Sequence, residues 1–465
     1  MNTTVVILAA GLGTRMRSKH AKVLHRAGGL ALVEHVVAAA RAVAEPDQIV
    51  VVTGHQAEAV ESLLAPIGVR FARQREQQGT GHALASCRGA LPDAIPEDDS
   101  LLMVLYGDTP MLSAGTLIRL RDLQAGSGAA ATLITTRLPD PTGYGRVLLN
   151  PRGGVEAIVE EKACTLEQRS IDLINSGIYC FQSGLLWKHI GEIEPNNPAH
   201  EYYLTDMAEI FSRHGYRVQP MHVLDAGELM GINTRVELAN ADRQLRRRKA
   251  DELMLSGVTI ERPETVTIDA LVEVGADTVI EPFTRLLGAT EIGQDCRIGA
   301  GSILESSILA DGVVIKPYSL ISDSRIETGA QVGPFSRLRM NARIAAAARV
   351  GNFVEVKNSG IGEGAKSQHL AYLGDAEIGA GVNIGAGTIT CNFDGEHKHE
   401  TKIGAGAFVG SNSTLVAPIE IGEESYIAAG SVITDPVPPR TLALGRGRQV
   451  VKHDWLAKRN NPDPA

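Results

Sequence analysis

The chain has 465 residues and a net charge of −9. That is too long for one ordinary core and too acidic for nucleic acid or an anionic membrane to be the main partner. No apolar run reaches the roughly 18 residues that a bilayer requires, and the start lacks a basic-then-apolar leader, so a soluble cytoplasmic protein of two or three domains is expected. Cys87, Cys164, Cys180, Cys296 and Cys391 are scattered without a CxxC, which excludes a disulfide scaffold or a cysteine-built zinc site.

The first predicted strand, Val5–Ala10, opens into Gly11-Leu12-Gly13-Thr14-Arg15-Met16, with Lys22 following. Glycines let backbone N–H groups approach a phosphate, and Arg15 and Lys22 supply compensating charge. A lone GxG would be only a tight turn. The arginine beside it, the lysine beyond and the place after the first strand favour a phosphate loop, and the segment resembles the signature of sugar-nucleotide pyrophosphorylases.

Further apolar runs at Ile49–Thr53, Leu101–Leu105, Ala131–Thr135 and Ile178–Phe181 alternate with helix-like stretches at 32–44 and 81–90. Strands alternating with helices predict an α/β fold with a largely parallel sheet, whose ligands bind beyond the carboxyl ends of the strands. Tyr106-Gly107-Asp108 sits at such an end, where the carboxylate reads either as a turn cap or, beside the phosphate loop, as a metal ligand. Gln74–His82 is a dense polar segment whose amides suit the edge of a pyrimidine. Pro141–Arg146, Glu160–Lys162, Ile174–Gly177, Glu201–Asp206 and Gly231–Asn233 each read alone as turns or surface loops.

Arg235–Ser256 predicts one linker helix, with Gly257 as its stop. Its basic run, Arg246–Lys249, has the acidic neighbours Asp242, Asp251 and Glu252 and reads as a solvated face. From about Val258 the pattern changes. Pairs such as Ile292-Gly293, Ile298-Gly299, Ile378-Gly379 and Ile384-Gly385 recur, often six residues apart. This is a hexapeptide repeat, in which aliphatic residues stack inward and small residues turn the corners. It resembles the hexapeptide acyltransferases, which form left-handed β-helices and pack as trimers. His369–Asp375 and Asn392–Gly395 are read as interruptions of the repeat that project as loops. His397-Lys398-His399 invites a zinc reading, as in the three-histidine sites of hexapeptide-fold carbonic anhydrases, but the acetyltransferase match makes it loop.

Taken in order, these motifs resemble the bifunctional N-acetylglucosamine-1-phosphate uridylyltransferase/glucosamine-1-phosphate acetyltransferases of bacterial cell-envelope synthesis, across both halves and the linker. The resemblance implies a Rossmann-like nucleotidyltransferase domain at 1–234, a linker helix at 235–257 and a left-handed parallel β-helix at 258–465. It implies Mg²⁺ on Asp108 and Asn233, and a catalytic role for Arg15 and Lys22 at the triphosphate of UTP. Leu8, Ala9, Ala10, Gly11, Gly13, Tyr106 and Gly107 complete the nucleotide site, Gln74, Gln77, Gly79 and Thr80 read uracil, and Gly145, Glu160, Asn175 and Thr205 hold N-acetylglucosamine 1-phosphate. No covalent intermediate is needed, because the sugar phosphate oxygen attacks the α-phosphorus directly.

For the second half, the resemblance implies His369 as the general base for the amine of glucosamine 1-phosphate, imidazole being the side chain that ordinarily titrates near neutral pH. Arg339, Lys357, Tyr372, Asn383 and Asn392 bind that sugar phosphate. Ala386, Asn392, Phe393, Ser411, Ala429 and Arg446 line the acetyl-CoA channel, with neighbouring subunits of a homotrimer completing the site. The sequence departs from the family pattern at Met340-Asn341, where Pro-Gly is common, at Phe393 for tyrosine, and at Leu12 for a polar residue. Two rivals, a nucleotidyltransferase with a purely structural β-helix and a non-catalytic regulatory subunit, predict missing site residues. His369, Lys357, Arg339, Arg15, Lys22 and Asp108 are all present.

Overall fold

The computed structural model describes residues 2–91 and 100–460. Its contacts divide the chain into two compact units, one ending at Leu245 and one beginning at Arg246.

The first unit is built on one twisted sheet. Its strands run, from edge to edge, Val218–His222, Ala131–Arg137, Leu173–Gln182, Ser100–Tyr106, Asn2–Leu8, Ile49–Thr53 and Arg70–Arg73, and two further strands, Arg146–Leu149 and Val155–Val159, extend from Leu173–Gln182. Along Asn2–Leu8 the side chains alternate between two buried clusters, Val5 and Ile7 in one, Val6 and Leu8 in the other. Both faces of the strand are covered, so it reads as a continuous apolar run. Along this path the sheet is largely parallel, as expected, with one reversed strand: Leu173–Gln182 runs antiparallel to both its neighbours, while Asn2–Leu8 is parallel to Ser100–Tyr106 and Ile49–Thr53. The parallel register pairs Leu8 with Tyr106 and with Val52, so three carboxyl ends share one edge. The first strand stops at Leu8, short of the expected Ala10, and the helices at Leu32–Ala40 and Thr80–Ser86 are shorter than the apolar pattern suggested. The reason at the first site is local: Ala9 and Ala10 stay buried, but the chain is already turning into the loop.

The second unit is a parallel β-helix of three sheets, each coil giving one short strand to each. Thr267 pairs with Arg285 and Arg285 with Ile303, so the chain returns to the same sheet once per coil. Inward aliphatics such as Ile280, Leu286, Ile292 and Ile298 are at most 4% exposed and form a single stacked core. Between them, at the corners, buried Ser and Thr hydroxyls bond main-chain carbonyls, as Thr284 Oγ1 does with Glu281 O (2.8 Å) and Ser319 Oγ with Lys316 O (2.9 Å). These bonds satisfy polar groups that the tight corners would otherwise leave unpaired.

Only one of the two expected interruptions exists. His369–Asp375 lies in a regular coil: Asn352 pairs with His369 and Glu355 with Tyr372, each with its counterpart in the adjacent coil. That stretch lacks Ile-Gly pairs, yet Ser367, Ala371, Leu373 and Ala376 are buried and keep the inward pattern. The Asn392 segment is the true insertion. Tyr372 pairs with Ile389 by an ordinary coil, but Ile389 pairs with Thr414 across a longer one that has to accommodate the extra loop.

The expected helix forms over Arg235–Leu255. Ala241, Leu238 and Leu245 pack within the first unit, where Gly28 N–H donates to Asp242 Oδ1 (2.8 Å), whereas Ala250, Leu253 and Met254 belong to the β-helix core. Gly257, at φ +101°, ends it as expected, with its N–H bonded to Met254 O (3.2 Å).

Coil stacking is tightest at Gly351, where an added Cβ would lie 2.0 Å from Gln368 O, a main-chain atom that cannot swing aside. Gly351→Ala is expected to lower the unfolding midpoint of the β-helix in urea by the equivalent of about 1–3 kcal/mol. Gly447→Ala, with no atom within 4 Å of its Cβ, leaves the midpoint unchanged.

Candidate active sites

In the first unit the loop after Leu8 is held from several sides. Met16, 1% exposed, anchors its far end, while Gly11, Leu12 and Arg15 are exposed. Gly13 has φ +62°, and an added Cβ would lie 2.6 Å from Lys22 Cβ, so the position demands glycine on two counts. Gly107 N–H donates to Leu8 O (3.0 Å), which places Asp108 beside the loop.

There the charges converge. Lys22 Nζ pairs with Asp108 Oδ2 and donates to Asn233 Oδ1 at 3.0 Å, and Arg15 Nη2 donates to the same Asn233 oxygen at 2.8 Å. Gly231 lets this happen, since a Cβ there would press on the Asp108 carboxylate at 3.2 Å. Asn233 is fixed in turn by Glu237, whose Oε2 accepts from its main-chain N–H at 2.5 Å. Two hard oxygens, from Asp108 and Asn233, thus meet at one cationic atom. That donor set suits Mg²⁺, which takes one or two protein oxygens and fills its octahedron with phosphate and water.

A cavity of about 390 Å³ opens beside this cluster, walled by Leu8–Leu12, Lys22, Gln74, Gln77, Gly79, Thr80, Tyr106 and Asp108. Gln77 Nε2 donates to Ala10 O (2.7 Å), and the buried Gln74 donates to Gly79 O (3.2 Å). Gly79 (φ +107°) admits the Tyr202 main chain, which a Cβ would meet at 2.5 Å, and Leu204 N–H donates to Thr80 Oγ1 (3.0 Å).

The residues expected for the sugar gather on the far side of Tyr106. A bulge between Asn175 and Tyr179 lets Asn175 Nδ2 donate to Tyr179 O–H (2.7 Å), and Gly177 (φ +82°) lies directly against the Tyr106 ring. Asn175 N–H donates to Gly145 O (2.9 Å), and Gly145 faces Glu160 Oε1, 3.4 Å from its Cβ position. Burial pushes the Glu160 carboxyl up, with the Thr205 hydroxyl acting against it. Glu160 and Asp206 also border a second cavity of about 740 Å³. There burial, then the Glu209 and Glu160 charges, push Asp206 up to about 6.

In the β-helix, ladder register builds the site. Arg339 pairs with Lys357 across adjacent coils and Glu355 with Tyr372. Asp375 is the hub: it accepts from Lys357 Nζ (3.1 Å), from Asn358 Nδ2 (2.6 Å) and from Asn392 Nδ2. Arg339 Nε donates to Glu355 Oε1 at 2.7 Å. Lys398, from the inserted loop, adds a third cation and is pushed down by Lys357. His369 ends its strand exposed, with Nδ1 at 3.1 Å from Asn352 Oδ1. A proton on Nδ1, donated to that oxygen, leaves Nε2 as the free base.

From His369 a single corner runs down the coils: Gly387 N–H donates to His369 O, Asn412 to Ala386 O, Gly430 to Ser411 O, and Arg446 Nη1 to Ala429 O (2.7 Å). Ala386, Ser411 and Ala429 therefore follow one another along a line of small residues that starts at His369. Asn383 stands on the sheet of His369, paired with Lys366, and is not brought to Arg339 or Lys357 within one chain. Phe393 is 58% exposed on the inserted loop. Met340 and Asn341 both take left-handed backbone (φ +55° and +62°), which proline cannot adopt, so this turn differs from one built on Pro-Gly while Arg339 keeps its partner. Of the HxH pair, His399 bonds Asp394 at 2.7 Å, and neither histidine joins a three-ligand cluster among the described residues.

Comparison with known proteins finds relatives of both units. Residues 5–163 match the model of the MobA-like NTP transferase domain, residues 290–316 the hexapeptide repeat of succinyl-transferase, and residues 400–435 the six-repeat bacterial transferase hexapeptide. The chain is 55% identical over 456 residues to the bifunctional protein GlmU of Solibacter usitatus, covering 98% of this chain and 97% of that one. It is 48% identical over 458 residues to GlmU of Koribacter versatilis, covering 98% and 97%. With GlmU of Anaeromyxobacter sp. strain Fw109-5 it shares 50% over 458 residues, covering 98% and 92%. The chain belongs to the GlmU family. It is a bifunctional uridylyltransferase and acetyltransferase, with an α/β nucleotidyltransferase fold followed by a left-handed β-helix of hexapeptide repeats.

Sequence reasoning missed Glu237, Asn352, Glu355, Asp375 and Lys398. Asp375 and Lys398 lay inside quoted motifs without a role. Asn352 and Glu355 gave no signal, because Gly-Asn-Phe reads as a turn until the ladder sets it beside His369.

The Asp206 carboxyl binds its proton more tightly folded than unfolded, so its ionisation opposes folding as pH rises from the ordinary 3.8 through about 6. Asp206→Asn is expected to raise the melting temperature above about pH 6. The gain fades toward the ordinary carboxylate value, as scanning calorimetry across that range would register.

Proposed function

We propose that the protein makes UDP-N-acetylglucosamine in two steps, acetylating glucosamine 1-phosphate on the β-helix and coupling the product to UTP in the α/β unit. The convergence of Arg15, Lys22, Asp108 and Asn233 at the carboxyl edge of the sheet carries the second assignment.

For nucleotidyl transfer, the glycine loop and Arg15 receive the triphosphate while Gln74, Gln77, Gly79 and Thr80 hold the uracil. Lys22 leaves Asp108 for phosphate oxygens and freezes the leaving pyrophosphate in line. Gly145, Glu160, Asn175 and Thr205 hold the sugar so that its phosphate oxygen faces the α-phosphorus. That oxygen forms the new P–O bond as the bond to the β-phosphate breaks, and the electron pair departs with pyrophosphate. Mg²⁺ on Asp108 and Asn233 supplies charge neutralisation to the phosphates.

For acetyl transfer, Arg339, Lys357 and Lys398 hold the phosphate of glucosamine 1-phosphate, and Tyr372 and Asn392 flank its ring. His369 Nε2 takes a proton from the amine as nitrogen attacks the thioester carbonyl, and coenzyme A leaves as thiolate. Acetyl-CoA lies along the corner of Ala386, Ser411 and Ala429, with Arg446 at its far end and Phe393 beside it. Asn383 is supplied by a neighbouring subunit of a homotrimer. A stack of exposed rings on the same corner, Tyr318, Phe335 and Phe353 (centroids 5.3 and 5.4 Å apart), supports self-association, since a monomer would leave that ladder in water. The absence of any described helix long and apolar enough to cross a membrane is compatible with a cytoplasmic enzyme.

Asp108→Ala is expected to cut uridylyl transfer by about a hundred- to a thousandfold, the scale of losing a main electrostatic group, with acetyl transfer retained. His369→Ala should do the reverse. Pyrophosphate and thiol release, assayed separately on each variant, check both.

A further inference from the structure

Away from both sites, two helix ends bring two imidazoles onto one carboxylate. His189 closes the helix Ser183–His189, Glu192 follows one turn later, and His214 caps the helix Met207–Arg213. His189 Nδ1 lies 2.6 Å from Glu192 Oε1, and His214 Nε2 lies 2.9 Å from Glu192 Oε2. Their ligand atoms all fall within 4.8 Å of one another, the one such trio of His, Cys, Asp or Glu among the described residues.

We propose that His189, Glu192 and His214 form a transition-metal site that takes Zn²⁺ and ties the two helix ends together. Two imidazole nitrogens and one carboxylate oxygen are the donor set that Zn²⁺ prefers, and unlike the all-oxygen cluster at Asp108 they disfavour Mg²⁺. The site is built rather than chance surface. His189 is 4% exposed, wedged against Phe211 and Tyr216 with ring centroids at 6.2 and 5.6 Å, so its Nδ1 cannot turn away from Glu192. Its buried Nε2 has no hydrogen-bond partner. Nε2 is unpaired in either tautomer, so what singles out the site is the Nδ1 side, held on Glu192 and facing His214. Glu192 and His214 side chains are 42% and 43% exposed, so the ion has an open path and water completes the fourth position. Because Glu192 and Arg213 also line the larger cavity, occupancy stiffens one of its walls.

The test is to strip the full-length protein with chelator, then titrate ZnCl₂ alone by calorimetry while following melting temperature, with Co²⁺ as a spectroscopic probe. The wild type should bind one Zn²⁺ per chain at this site, gain melting temperature and give the intense visible absorption of tetrahedral Co²⁺. Loss of a direct ligand should weaken binding at least as much as loss of an outer-shell partner, about tenfold or more. His214→Ala and Glu192→Gln, both at exposed positions, should therefore lose affinity, melting shift and absorption together, while Asp108→Asn keeps all three. No Zn²⁺-dependent shift in the wild type, or the same shift in both variants, would overturn the site and leave the trio as a His–Glu–His hydrogen-bond bridge.

Discussion

Parallel strand register is the constraint on which both halves depend. In the α/β unit it sets Leu8 level with Tyr106 and Val52, and Thr53 level with Arg73, so four strands release their chains at one edge. The glycine loop, Asp108 and Gln74 then have nowhere to go but the same mouth. In the β-helix the same ladder acts vertically. A residue at a corner repeats its position one coil later, which turns separated sequence positions such as Ala386, Ser411 and Ala429 into a continuous line.

On those scaffolds each site is organised by a carboxylate that holds cations in readiness. Asp108 keeps Lys22 at the loop, and Asp375 keeps Lys357 and Asn392 together at the coil surface. Neither pair is a large stability term, since taking two charges out of water offsets most of their attraction. Their value is positional. Cations gathered at the site beforehand have only a short exchange of partners to make when a phosphate arrives.

The sequence is legible where chemistry is local. The Gly11–Arg15 loop, Tyr106–Asp108 and the Ile-Gly repeats each carry their meaning within a few residues, and the helix stop at Gly257 follows from one backbone angle. What escaped was register. The His369 stretch looked like a loop because it lacks the repeat's glycines, yet Ser367, Ala371 and Leu373 keep it in the coil. Asn352 acquires its place only because it pairs with a strand of the next coil, and the reversed Leu173–Gln182 strand has an apolar pattern no different from a parallel one. The Met340-Asn341 turn shows the converse. A departure in sequence stands there on a left-handed backbone that proline cannot adopt, and Arg339 beside it bonds Glu355.

The central claim is that one chain runs two ordered reactions on two sets of residues. The most direct measurement supplies purified protein with glucosamine 1-phosphate, acetyl-CoA, UTP and Mg²⁺, and follows free thiol and pyrophosphate separately with each donor omitted in turn. The account predicts thiol release without UTP, and pyrophosphate release only once acetylated sugar has formed or is added. Pyrophosphate from added N-acetylglucosamine 1-phosphate, with no thiol under any condition, would contradict it and reduce the β-helix to a scaffold.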